Sequence, residues 1–580
     1  MFFSKTQMRN GRYLLMAVAV FAVLAVLTAE YASAGSEEAA TVSDDSGICG
    51  VGVSYTFDSA TGKLTVTGTG NMFDFNTDNP PWANYRDKIK TISLENAGSV
   101  GEFAFEKCTA LTALTISDSV TSVGRYAFSG CTSLTALTVP GSVKSIDDSA
   151  FLDCNTLGNL TLTDGIASIE TYAFSRCISL ETLTVPGSVK SIGYDCFSEC
   201  TSLKTVTLNE GLETLGNGVF EKCTALTAAT VPKSVSSVPY QAFYSCTALT
   251  SVTVSSPIGN QAFEDCTALN SVTLSEGVTS IGDYAFSNCA ALTAVNFPAS
   301  LTSLGGDVFY QCRSIMTYSV ESGSKTYCAT SDGVLLNKDK SELVLYPAGK
   351  VDGEYNVPAG VVVVGSNAFR GCTHLTVLSL GKDVVWFDAG AIAGCSSLTE
   401  FRVNNENTSF AVIDGVLFDK EKTDLCLYPS GKAGAYTVPD GVTMIDGYAF
   451  AYSQKLTSII FPDSVKTIDE YAFASQSDAY PEYGCAALEE ISFGKGLEWV
   501  DSLSFYKMDF TAEGKMFDLN FDDPNGKTFV KEDGNFVYRA SNSASDDDSD
   551  STALIIGAAA ILIIIMIAAL LLMRRTGAKD

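Results

Sequence analysis

A spacing constrains this chain more than any other feature. Phe-x-x-Cys occurs at Phe105/Cys108, Phe128/Cys131, Phe151/Cys154, Phe174/Cys177, Phe197/Cys200, Phe220/Cys223 and Phe243/Cys246, in steps of 23 residues. One step of 20 leads to Phe263/Cys266, and the 23-residue step resumes at Phe286/Cys289 and Phe309/Cys312. Later copies are Phe369/Cys372, Ile392/Cys395, Phe450 and Phe473, and the pattern continues at Cys485 and Phe505 after a nine-residue insertion. A chain of 580 residues would ordinarily suggest several globular domains. A fixed short period replaces that expectation with one stacked array, in which each turn packs only on its neighbours.

The unit between two Phe positions explains the stacking. In Leu134-Thr-Ala-Leu-Thr-Val139 the alternation puts Leu137 and Val139 on one face of a strand. Pro140-Gly141 then turns the chain, Val143 and Ile146 supply the next inward contacts, and Phe151 and Cys154 close the coil. No unit buries its apolar row alone. A period of 20 to 29 residues with a Leu-x-x-Leu-x-Leu core is the leucine-rich-repeat signature. The expected fold is therefore a β-rich solenoid of leucine-rich repeats, a right-handed coil with a parallel sheet and a 23-residue period. Thirteen of the 17 Cys fall on one repeat position beside the core Phe, and we expect buried thiols there, since free Cys behaves as a small apolar residue. The pairing of Cys49, Cys196, Cys328 and Cys426 does not follow from sequence.

The ends read differently. Residues 1–34 have a basic start (Lys5, Arg9, Arg12), an apolar run from Tyr13 to Leu27 and Ala32-Ser33-Ala34, the pattern of a cleaved signal peptide. Residues 553–573 are uncharged and mostly apolar, long enough to span a bilayer as a helix, and Arg574 and Arg575 follow. That arrangement predicts a single-pass cell-membrane protein with an extracellular N-terminal ectodomain and a short cytoplasmic tail at 574–580. The acidic Ser/Asp stretch 541–552 reads as a solvated linker. Between the ends we expect a disordered N-terminus at 35–48, an N-terminal β cap at 49–90 and the solenoid at 91–317. A first island at 318–354, repeats at 355–400, a second island at 401–435, and repeats with a C-terminal cap at 436–540 follow.

The islands rest on two near copies, Asp332–Lys350 and Asp414–Lys432, which lie 82 residues apart. Each has an apolar run, a charged turn, a second apolar run and a Pro-x-Gly, which reads as a β-hairpin. The repeat consensus, the islands and the opening segment from Cys49-Gly50 to Trp82 together are similar to the BspA-like family of leucine-rich-repeat surface proteins. The resemblance spans residues 49–506. It implies cell-surface adhesion or binding of an extracellular protein or glycan, and carries no fixed binding residues to transfer.

Composition excludes several functions. The net charge of −29 speaks against nucleic-acid binding, which needs clustered Lys and Arg. The only His, His374, occupies a variable repeat slot in Cys372-Thr-His-Leu375, so Ser-His or Cys-His catalysis has no natural seat. Gly526-Lys527-Thr528 lacks the first Gly of a phosphate loop, and Asp74-x-Asn76-x-Asp78 lacks the Gly and Glu of a calcium loop. We therefore expect no enzyme, no cofactor and no metal. The candidate binding surface is the outward strand position, which is Thr at 115, 138, 161, 184, 207, 230, 253 and 273. Thr115, Thr138, Thr161, Thr184, Thr207, Thr230, Thr253 and Thr273 are joined as candidates by a more varied face near Phe401, Arg402 and Ile460. Asn159 and Asn407 lie in glycosylation sequons. Binding or adhesion at the cell surface is the leading expectation; the alternative is a self-associating structural component of the cell envelope.

Overall fold

A computed structural model describes residues 45–473 and 484–538, apart from residues 507, 513, 514, 517, 520, 521 and 534. The expected signal, linker, membrane helix and tail lie outside the described residues. Among the described residues, no helix is long and apolar enough to cross a membrane, and the helical elements are two 3₁₀ turns, Ala83–Tyr85 and Ala389–Ile392. The rest is short strands and turns. The chain divides into two compact units, one ending at Tyr327 and one beginning at Cys328.

The first unit opens with a cap. Strands β1 (Ser46–Gly50), β2 (Val53–Asp58) and β3 (Lys63–Gly68) form an antiparallel meander. β3 then pairs in parallel with β4 (Thr91–Glu95), and β4 with β5 (Ala113–Ile116), so the cap hands its last edge to the solenoid. Ordered strand thus begins at Ser46, three residues inside the stretch expected to be disordered. Trp82 seals this end. It is fully buried, donates from Nε1 to the Ala104 carbonyl at 2.6 Å, and lies 5.0 Å from the Phe105 ring at an interplanar angle of 10°.

Beyond the cap each coil has three walls. The first is a parallel sheet of seven strands, from Ala136–Val139 to Ser271–Leu274. The second is a narrower parallel ladder of two-residue strands, from Ser122–Val123 to Thr214–Leu215. The third is the Phe-x-x-Cys turn, whose backbone also bonds between coils: Phe105, Phe128 and Phe151 donate N–H to the carbonyls of Ala127, Ala150 and Ala173 at 2.7–2.8 Å. The core Phe rings stack through the unit, with centroids 5.1–5.2 Å apart from Phe105 to Phe174. The 20-residue step leaves the first wall in register, with Ser251 opposite Ser271. Its shortening falls on the turn after Val254, where the second wall is reduced to isolated bridges of Ile258 with Val238 and Ile281.

The thiol column has a polar role that apolar packing alone did not suggest. All thirteen repeat Cys are buried, and every Cys in the chain is a free thiol. Cys131, Cys154, Cys177, Cys200 and Cys223 donate from Sγ to the carbonyl of the Phe that opens the coil before, at 3.2–3.5 Å. The same bond recurs in the second unit, from Cys395 to Phe369 and from Cys485 to Phe450. These thiols fill small apolar sites and add a second hydrogen bond to buried carbonyls, such as those of Phe105, Phe128, Phe151 and Phe174, that already accept the N–H of the Cys in their own coil.

In the second unit the islands are part of the scaffold. Their hairpins pair antiparallel, Leu335–Asn337 with Glu342–Leu345 and Val416–Asp419 with Asp424–Leu427. The second strand of each then pairs in parallel with the next second-wall strand, Val363–Val364 or Met444–Ile445. Tyr346 and Tyr428 take the place of the core Phe. Their rings sit 5.3 and 5.2 Å from Phe369 and Phe450, and their N–H groups bond to the Ala368 and Ala449 carbonyls. Each hairpin is closed by a Lys: Lys350 reaches Asp332 at 2.9 Å, and Lys432 reaches the Asp414 carbonyl at 2.8 Å. At the far end, Glu490–Ser492 pairs antiparallel with Thr528–Val530, which covers the open edge of the parallel sheet.

Candidate functional site

The first wall of the first unit gathers the Thr positions. Cross-strand register places Thr138 beside Thr161, Thr184 beside Thr207, and Thr230, Thr253 and Thr273 in one row. Thr115 lies beside Ser93 of the cap. Strand alternation turns Leu137, Val139, Leu183 and Val185 into the core and leaves the Thr column facing out. A second outward column runs parallel to it: Ala136, Asn159, Thr182, Thr205, Ala228, Ser251 and Ser271. The seven strands therefore present two columns of small, uncharged side chains in a chain of net charge −29. At the N-terminal end of this face a groove of about 580 Å³ is lined by Thr115, Thr138 and Thr163, with Asp118 at its side. Asn159 is exposed on this face, so its sequon is open to solvent.

The positions expected in the second unit do not form one surface. Phe401 is fully buried, with its ring 5.7 Å from Phe387 in an edge-on contact, and is a core residue. Leu378 is its register partner, and strand alternation carries both inward; adjacent residues of one strand face opposite ways, so Phe401 and Arg402 do not share the expected outward face. Arg402 is exposed and held by two carboxylates, Glu400 at 2.7 Å and Glu354 at 3.3 Å. Ile460 is exposed in a different sheet, beside Thr437 and Ser492.

Asn407 also departs from expectation. It is buried, its Nδ2 donates to the carbonyls of Gly381 (2.7 Å) and Val384 (2.9 Å), and its Oδ1 accepts from the N–H groups of Ser409 and Phe410. Every hydrogen-bonding position of the amide is used inside the fold, so a glycan at 407 would require giving up these four bonds. His374 sits exposed on its turn. Among the described residues, no group of three or more His, Cys, Asp or Glu is arranged to hold a metal ion.

The third wall carries a feature that the sequence reading passed over. In the first unit the residue two before the core Phe is at positive φ: Phe103 (55°), Tyr126 (55°), Ser149 (57°), Tyr172 (56°) and Asp195 (49°). Four residues further on, a second positive-φ column runs Lys107, Gly130, Asp153, Arg176 and Glu199. A cleft of about 440 Å³ opens on this wall, lined from Tyr126 through Ser149 and Tyr172 to Asp195 and Glu221. The 23-residue register lists these columns directly, but L-residues in the left-handed region have no reliable sequence mark unless they are Gly or Asn.

Comparison with known proteins agrees with the architecture. A model of the BspA type leucine rich repeat region matches residues 83–204, 167–258, 255–330, 353–422 and 424–513. The chain belongs to that family. No curated protein matches it. Among solved structures, it is similar to a leucine-rich repeat protein from Bacteroides ovatus ATCC 8483, at 23% identity over 61% of this chain and 94% of that one, with a TM-score of 0.42. It is also similar to a leucine rich cell surface protein from Faecalibacterium prausnitzii A2-165, at 22% identity over 78% of this chain and 95% of that one, TM-score 0.27. The pneumococcal vaccine antigen PcpA matches at 19% identity over 80% of this chain and 89% of that one, TM-score 0.28.

Proposed function

We propose that the chain is a non-catalytic surface protein, tethered by residues 553–573, that binds an extracellular protein or glycan through the first wall of its first unit. The observation that carries the reading is the uncharged double column on seven adjacent strands. Charge is avoided there although 103 of 580 residues are charged, counting 37 basic and 66 acidic. A flat face of hydroxyls and methyls approaches a partner surface without desolvating a charge. Family membership, and the cell-surface description carried by the Faecalibacterium prausnitzii relative, support the setting.

The test is a charge brush on the face. Thr138→Lys, Thr184→Lys and Thr230→Lys together place three cations along one column while leaving the core untouched. The full-length variant should keep its circular dichroism and lose binding to cells, matrix proteins or glycans that retain the wild type. Undiminished binding by the folded triple variant would sink the reading. Deleting an island is a poor test, because the deletion removes Tyr346 or Tyr428 from the core.

A further inference from the structure

The third-wall cleft has the shape of a missing rung. Phe103 and Tyr126 occupy the first positive-φ column in neighbouring coils, and their rings stack at 4.9 Å with an interplanar angle of 13°. The next position in the column is Ser149, 2% exposed, and the one after is Tyr172, 44% exposed. One coil therefore lacks the ring that its neighbours carry. At a coil spacing of about 5 Å, Tyr126 and Tyr172 stand roughly 10 Å apart. A six-membered ring inserted over Ser149 would have a Tyr on either side at about 5 Å, close to the Phe103–Tyr126 separation.

The polar groups around the gap decide which ring. Its floor includes Ser175 and Ser198, whose buried hydroxyls bond each other at 2.8 Å. Its rim carries Arg176, paired with Asp153 at 2.8 Å, and, in the coils after Tyr172, the carboxylates of Asp195, Glu199 and Glu221. Asp195 is half-buried, burial raises its pKa, and it accepts a hydrogen bond from the Tyr172 hydroxyl. A partner's Phe ring would cover these carboxylates without offering a donor, and a Tyr or Trp would offer only one, which leaves the other carboxylates desolvated and unpaired. A pyranose offers C–H faces to both Tyr rings and hydroxyls to the rim. The rim holds more carboxylate than cation, which disfavours an anionic sugar.

We propose that the cleft over Ser149 is a saccharide subsite for a neutral or amine-bearing pyranose, sandwiched between Tyr126 and Tyr172. The site lies on a different wall from the Thr columns, and Ser149 is not part of them. Its failure and the failure of the first-wall reading are therefore separately visible.

The experiment is saturation-transfer NMR on the full-length protein with methyl glycosides of glucose, galactose, mannose, N-acetylglucosamine, glucosamine and glucuronic acid. At least one neutral or amine-bearing glycoside should bind, and the glucuronide should bind more weakly than its neutral parent. Ser149→Tyr restores the rung in a backbone conformation that Tyr126 and Tyr172 already adopt, so it should fold and abolish the signal. Tyr172→Ala should weaken binding at least tenfold by removing one face of the sandwich. Absence of binding by every glycoside at millimolar concentration would overturn the proposal. So would binding by a folded Ser149→Tyr protein at wild-type strength, or a preference for the glucuronide.

Discussion

Raising the pH should dismantle the first unit through its buried thiols, the repeat column and Cys196 together. Burial raises the pKa of Cys108, Cys131, Cys154, Cys177, Cys196, Cys200, Cys223, Cys246, Cys266 and Cys289, to about 12 for Cys108, Cys154, Cys200 and Cys246. In an unfolded chain the same thiols ionise near pH 8.5. The folded state therefore holds protons that the unfolded state releases. Stability is intact below about pH 8.5 and falls as pH rises from there toward the folded values. At about pH 9.5 each thiol weakens the fold by roughly 1 kcal/mol. For ten thiols unfolding together the loss is on the order of 10 kcal/mol, comparable with the whole stability of a typical domain. The measurement is circular dichroism alongside thiolate ultraviolet absorbance, titrated upward from neutral pH with a reductant present. Loss of the β signal and appearance of thiolate should coincide, within a unit or two above the free-thiol value. Replacing Cys154, Cys200 and Cys246 by Ala removes three linked protons and should make the transition shallower. Thiolate absorbance rising near pH 8.5 beneath an unchanged β signal would refute the reasoning, because the thiols would then be reachable by solvent in the folded protein.

Three further outcomes follow from the same geometry. Phe174→Ala removes a fully buried ring stacked 5.2 Å from Phe151 and 5.5 Å from Phe197; urea denaturation should register a loss of about 4 kcal/mol. At position 177, Ser should cost about 1–3 kcal/mol and more than Ala, because a shorter hydroxyl reaches the Phe151 carbonyl less well than Sγ does at 3.5 Å, and an unpaired hydroxyl is expensive to bury. In a host that glycosylates, peptide mass spectrometry should find glycan at Asn159 and none at Asn407, and Asn407→Ala should lower stability by about 3 kcal/mol or more, since four backbone groups lose their partner.

What was legible in the sequence is what repeats through burial. The Phe and Cys positions recur because each fills a site that the coil before has shaped, and periodicity reports that repetition without any knowledge of the fold. The outward Thr column was legible for a related reason: a strand's two-residue period fixes its face once the inward Leu is known. Phe401 shows the limit of that logic. An outward Arg402 requires an inward Phe401, and a locally varied sequence does not by itself mark which of two neighbours faces solvent. Asn407 shows a different limit, since a sequon is three residues long and says nothing of the carbonyls of Gly381 and Val384 that claim its amide. The islands read correctly as hairpins, but their Tyr346 and Tyr428 hid in plain spacing: they precede Phe369 and Phe450 by 23 and 22 residues, the repeat length or one short of it. Tyr was not on the consensus, so the coincidence went unread.

The positive-φ columns explain how one scaffold accommodates varied surfaces. A left-handed L-residue costs about 1–2 kcal/mol, and most coils of the first unit carry two. Gly would relieve the strain, yet it appears in these columns only at places such as Gly130 and Gly218. The strain is sustained by the adjoining turn, where a core Phe and a Cys are buried at about 1.5–3 kcal/mol for the ring alone and the backbone bonds to the next coil. With the conformation held by Phe, Cys and the inter-coil ladder, the side chains at the strained positions vary in type from coil to coil. Tyr, Ser, Asp, Gln and Gly all occupy the first column, from Tyr126 through Ser149, Asp195 and Gly218 to Gln241. Exchanging a ring for a hydroxyl at one such position opens a cleft without disturbing the stack beneath it, as Phe128, Phe151 and Phe174 demonstrate by keeping their 5.1–5.2 Å spacing below the Ser149 gap. The third wall can thus change its side chains at these positions while the core Phe stack beneath keeps its spacing.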